Sequence, residues 1–176
     1  MKPFHVVTAR FNNETLETNY AYRKKKGIAC IYCVPLELSP KILYFAPVFV
    51  IEMNNSNNKI LGIGLIKNMP EQKYYKVHSD SNTNRFTYIG KKFMDRDLMN
   101  ELNPRLVFIL EQILFKGYTH SKRGSGLTSI PEKVVNIELT QGNDIKKDIY
   151  SLFSVHYKRE KGEIEKEVEE RIEKEV

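Results

Sequence analysis

Residues 117–132, GYTHSKRGSGLTSIPE, gather the side chains of this chain best suited to hold an anion. Lys122 and Arg123 are charged, His120 can be, and Thr119, Ser121 and Ser125 add hydroxyls, all set among Gly117, Gly124 and Gly126. Successive backbone N–H groups in a glycine loop that runs into a helix N-terminus form a concavity for negative charge. The spacing is not that of a nucleotide loop. G-x-x-x-x-G-K-[ST] is absent, and no apolar strand leads into the glycines as a dinucleotide fold requires. The pattern fits contact with a phosphate backbone, carried by His120, Lys122 and Arg123.

A second group lies in NTNRFTYIG, where Arg85 precedes Phe86 and Tyr88, with Tyr74 and Tyr75 a hairpin earlier. Guanidinium for phosphate and aromatic faces for bases are the composition of a single-strand or extruded-base site. Phe86 and Tyr88 share a strand face, which suits a core equally well. The basic run Arg23–Lys26, including Lys24 and Lys25, reads as a solvated face beside a strand. Enzyme signatures are lacking: G-x-S-x-G and H-E-x-x-H do not occur, and the four histidines have no metal-ligand spacing. A hydrolase would have to use His120 with an acidic residue, and no paired carboxylates support it. Asp95 and Asp97 stand at a helix start, as caps and dipole partners. Cys30 and Cys33 have no second pair to complete a zinc site and, three apart on a strand, point to opposite faces as buried thiols. No cofactor or metal is implied.

The elements that must position these groups follow from periodicity. Strands are expected over 4–9, 27–34, 47–53, 59–66, 73–78 and 84–89, each short and rich in Val, Ile, Tyr and Phe. NNSNN (54–58) marks a hairpin. Gly62 and Gly64, two apart in LGIGLI, allow a close crossing or a barrel corner. Asn12 or Asn13 caps a short helix between the first two strands. Asn103, Pro104 and Gly117 bracket a second helix with an apolar stripe of Leu106, Ile109, Leu110 and Ile113. Ser129 with Glu132 reads as a capping box for a third. A fourth covers 144–160, with Ile145, Ile149, Leu152, Phe153 and His156 on one side. In the tail, Ile164, Val168, Ile172 and Val176 make a thin seam that could pack on the body or on a partner.

The 176 residues carry a net charge of +6, and the stretch 158–176 is itself negative, with six basic and eight acidic residues, so the remainder carries +8. A basic body favours polyanions, nucleic acid first. No apolar run is long enough to span a bilayer and no signal peptide is read at the start, so an intracellular protein, cytoplasmic or nuclear and without a membrane partner, is expected.

The order PFHVVTARFNNETL, GIACIYCV, PVFVIEMNNSNNKILGIGLI and then NRFTYIG, NPRLVFILEQILF, RGSGLTSIPEKVV resembles PUA-like domains of the EVE and YTH type. The resemblance covers roughly residues 3–137, in order and spacing. It implies an α+β fold with a small twisted β-barrel over 1–140, flanking helices, and a charged helical extension over 141–176. It also implies non-catalytic binding of DNA or RNA, with a pocket for a single-stranded or modified base. The chain has no tryptophan, so a pocket would be walled by Tyr32, Tyr44, Phe45 or Tyr118, with Arg10, Asn12 or Asn54 as polar contacts at strand ends. Phosphate contacts would fall to Arg10, Lys24, Lys25, Arg85, His120, Lys122 and Arg123. The rival expectation is a protein–protein module that acts through self-association or partner capture by 163–176.

Overall fold

The computed structural model describes residues 4–158. Its class is mixed α+β. The elements run β1 (His5–Phe11), α1 (Asn13–Lys26), β2 (Cys30–Val34), β3 (Pro47–Asn54), β4 (Lys59–Lys67), β5 (Phe86–Gly90), β6 (Lys92–Asp95), α2 (Arg96–Leu102), α3 (Pro104–Phe115), β7 (Thr128–Ser129) and α4 (Glu132–Thr140). A last helix, α5, occupies 145–158. The seam at 164–176 lies outside the described residues. No described helix is long and apolar enough to cross a membrane.

Five strands form one sheet in the order β6-β4-β3-β1-β7, and β2 pairs with β5 in a second. The two are not joined by a continuous ladder, so the strands do not close into a hydrogen-bonded barrel. They nevertheless approach closely. A Cβ on Gly64 would overlap the Tyr32 hydroxyl and stand 2.9 Å from Cys30 Sγ, so only glycine lets β2 cross β4 there. β1 runs parallel to β3, with His5 opposite Val48 and Phe11 opposite Asn54.

Alternation along β3 splits the core in two. Phe49, Ile51 and Met53 face a layer of helices, where they meet Leu106, Leu110 and Leu114 of α3 and Ile149 and Phe153 of α5. Val48 and Val50 face the β2–β5 pair and pack with Tyr32, Val34 and Tyr88. Tyr88 is therefore core with Phe86 packed partly buried against it, and the Tyr88 hydroxyl also accepts the Leu38 N–H at 3.0 Å.

Local signals held at most caps. Asn12 closes a capping box with Thr15, Asp95 accepts the Leu98 N–H, and Asn103 accepts the Leu106 N–H ahead of Pro104. The expected box at Ser129 does not form. Ser129 pairs with Val7 as part of β7, and α4 starts after Pro131 with no side-chain cap. Residues 73–78 are not a strand either. The N–H groups of Val77 and His78 both donate to Asn84 Oδ1, at 3.1 and 3.0 Å, in place of a neighbouring strand. The basic run is no solvated face throughout. Arg23, in the last turn of α1, is buried and bonded to Glu52 of β3 at 2.5 Å.

Candidate nucleic-acid interface

The opening loop does not stand free in solvent. It is clamped from β1 by Arg10, whose Nε donates to the Ser121 carbonyl at 2.5 Å, Nη1 to the Gly126 carbonyl at 3.3 Å, and Nη2 to the Thr128 hydroxyl. Asn55, in the β3–β4 turn, adds a bond to the Lys122 carbonyl at 2.9 Å. Between this loop and the ends of β1 and β2 lies a cavity of about 230 Å³, below the ~300–1,000 Å³ of drug-sized sites and of a size for one planar ring.

Its walls come from five places in the chain. β1 gives Arg10 and Phe11, α1 gives Thr15, β2 gives Tyr32 and Cys33, the 78–83 loop gives His78 and Thr83, and Gly124 to Gly126 close the front. Asn84 builds the loop behind His78. Besides accepting two N–H groups, it donates to the carbonyls of His78 and Asp80, at 2.7 and 3.0 Å. The Asp80 carboxylate then holds Thr83 through its N–H and its hydroxyl.

Electrostatically the cavity favours acceptors. Arg10 is half-buried and has no carboxylate partner among the described residues, whose ion pairs are Arg23–Glu52 and Arg96–Glu111. Burial lowers its pKa, yet a guanidinium remains a cation at neutral pH. Burial also lowers the pKa of His78, with Asp80 acting weakly the other way, so its imidazole is neutral at pH 7. Among the described residues no Asp or Glu lines the cavity.

Behind the inner wall sits a buried polar knot. Glu52 accepts from Arg23 at 2.5 Å, from the Tyr32 hydroxyl at 2.7 Å and from the Tyr20 hydroxyl at 3.2 Å. The Arg23 guanidinium lies 4.9 Å from the Tyr20 ring and 5.2 Å from Phe93. Burial alone would lower its pKa, but the Glu52 carboxylate outweighs that and raises it. Both thiols are buried. Burial, then the charge of Glu52, pushes Cys30 up to about 11, and burial raises Cys33.

The predicted site residues divide accordingly. Arg10 and Tyr32 meet at the cavity, although Tyr32 turns its hydroxyl inward to Glu52. His120 is half-buried, its Nδ1 accepting the Lys122 N–H at 3.3 Å, and the Lys122 ammonium is held by Asn58 at 2.6 Å. Arg123 stands exposed beside Gly124, and Arg85 stands exposed two residues past Thr83 with its guanidinium 5.4 Å from the Phe86 ring. Tyr118 is fully exposed. Asn54 is buried, donates to Asn13 and braces the start of α1 instead of facing a ligand. Lys24 and Lys25 are exposed at the far end of α1, about 14 Å along the helix from Thr15. Tyr44 and Phe45 precede β3 at the opposite end of the sheet, about 15–20 Å from Arg10 by strand rise, and do not line the cavity.

Sequence reasoning missed His78, Thr83 and Thr15. The signal for the first two was Asn84, a turn-former whose side chain can hold several backbone groups at once.

No protein-family model matches this chain, and no curated protein matches its sequence.

Proposed function

We propose that this protein is a non-catalytic nucleic-acid-binding module that takes a single-stranded base, modified or not, into the cavity beside Arg10. The observation that carries this reading is the cavity itself: ring-sized and, among the described residues, free of carboxylates and walled by a guanidinium whose charge no acid neutralises. A base edge rich in carbonyl acceptors, or the phosphate next to it, complements such a wall. Arg123 and Arg85 are each within two residues of a cavity-lining position and exposed, and they are the phosphate contacts. Arg10 then acts at the base and as the brace of the loop, and Lys24 and Lys25 play no part. In this reading the two closely approached sheets are a PUA-like barrel left open between β2–β5 and the larger sheet.

The test is fluorescence anisotropy with labelled single- and double-stranded DNA and RNA over a series of salt concentrations. Single strands are expected to bind more tightly than duplexes. Log affinity should fall linearly with log salt, and Arg123→Ala and Arg85→Ala should each reduce the slope by about one. Slopes unchanged in both variants would remove these residues from the interface. No binding at low salt would end the reading.

A further inference from the structure

Among the described residues, Leu43, Tyr44 and Phe45 are the most exposed run of consecutive large apolar side chains, at 69%, 62% and 56%. They occupy a tight turn closed by the Ala46 N–H on the Leu43 carbonyl at 3.0 Å. Phe45 holds φ 65 at the third position of that turn, where a left-handed conformation ordinarily selects glycine. A bulky residue there is disfavoured, and such outliers persist only where surrounding structure imposes them. Here Asn68 imposes it. Its carbonyl accepts the Phe45 N–H at 3.0 Å, its N–H donates to the Ala46 carbonyl at 2.9 Å, and its side-chain amide donates to the Ile42 carbonyl at 2.8 Å. Leu38 and Ile42 are buried and anchor the loop. The turn is thus held rigid with its aromatics outward, their rings edge to face at 4.5 Å.

We propose that this turn is a second contact for single-stranded nucleic acid, in which an unpaired base stacks on Tyr44 and Phe45 while Lys41 and Lys67 hold the adjoining phosphates. The proposal rests on the nucleic-acid reading above and extends it to the opposite end of the sheet. Lys41 lies two residues before the turn and Lys67 immediately before Asn68, and both are exposed. Exposed aromatics flanked by cations are the composition of a stacking platform for single strands, whose bases offer free π-faces as a duplex does not. A strand seated in the cavity reaches the turn only if it is several nucleotides long.

Affinities for a trinucleotide and for a long oligothymidylate are to be compared in the wild type, Phe45→Gly, Tyr44→Ala and Ser125→Trp. Phe45→Gly removes the ring while giving the turn its preferred residue. Ser125→Trp fills the cavity mouth from an exposed position. Both turn variants are expected to weaken the long strand about tenfold and leave the trinucleotide unchanged, with the Tm of Phe45→Gly no lower than wild type. Ser125→Trp should weaken both strands. Turn variants that bind the long strand like wild type, while Ser125→Trp weakens it, would overturn the platform and leave the cavity standing. Turn variants that weaken it while Ser125→Trp does not would keep the platform and reject the cavity. Loss of self-association in the turn variants with strand affinity unchanged would assign the turn to a protein contact and overturn the proposal.

Discussion

At the scale of single residues, the buried Arg23–Glu52 pair is the most consequential interaction outside the cavity. Removing one member leaves the other charged and without its partner. Glu52→Gln is expected to cost about 3–5 kcal/mol, read as a lower urea midpoint at constant m, and adding Arg23→Met should recover most of it. A loss under about 1 kcal/mol would mean that the pair is not ionic in the folded protein. His78 makes a pH prediction. Burial holds its folded pKa below the ordinary value near 6.5, so as pH falls past that value the unfolded chain binds a proton that the folded chain refuses. Stability is therefore full above about 6.5 and declines toward the lower folded pKa. His78→Gln should flatten the stability–pH curve in that window, and an unchanged slope would show that the imidazole protonates freely in the fold. Arg23 could not be singled out from sequence, because it opens a run of four basic residues, whereas Glu52 was visible as the one charge in an apolar strand but without its partner.

At the scale of elements, the glycine on β4 decides how close the two sheets can come. Gly64→Ala should destabilise the protein by about 1–3 kcal/mol through overpacking against Tyr32. Tyr32→Phe removes the overlapped hydroxyl, so the double variant should lose less than the sum of the single losses. Strict additivity would place the strain elsewhere. Most elements were legible in the sequence because their signals are local: the Asn12, Asp95 and Asn103 caps, the NNSNN hairpin and the apolar stripe of α3. The misses share a cause. Residues 73–78 are as rich in Tyr and Val as a strand, and Ser129 with Glu132 spells a helix cap, but in each case another partner captured the backbone: the Asn84 side chain a few residues on in the first, β1 from far along the chain in the second. The cavity was half legible. Arg10, Tyr32 and the glycine loop were visible as chemistry, but their meeting depends on pairings more than 90 residues apart along the chain, which no periodicity records.

At the scale of the whole molecule, one face of the large sheet is given to helices and the other to β2–β5 and the buried polar knot, which leaves the cavity at the sheet's end. Helix α5 belongs to the same core as α3, since Ile145, Ile149, Leu152 and Phe153 pack with Phe49 and Ile51. The wall of the cavity joins the beginning of the chain to its later part. β1 sits between β3 and β7, and Thr8 reaches Thr128 across 120 residues. During synthesis β1 is made before either neighbour, and its partners follow at unequal separations, β3 in the register His5–Val48 and the glycine loop only at Gly126. Loop closure over that separation makes this contact entropically late. A nascent chain can thus acquire most of its fold before the cavity beside Arg10 has its front wall of Gly124 to Gly126.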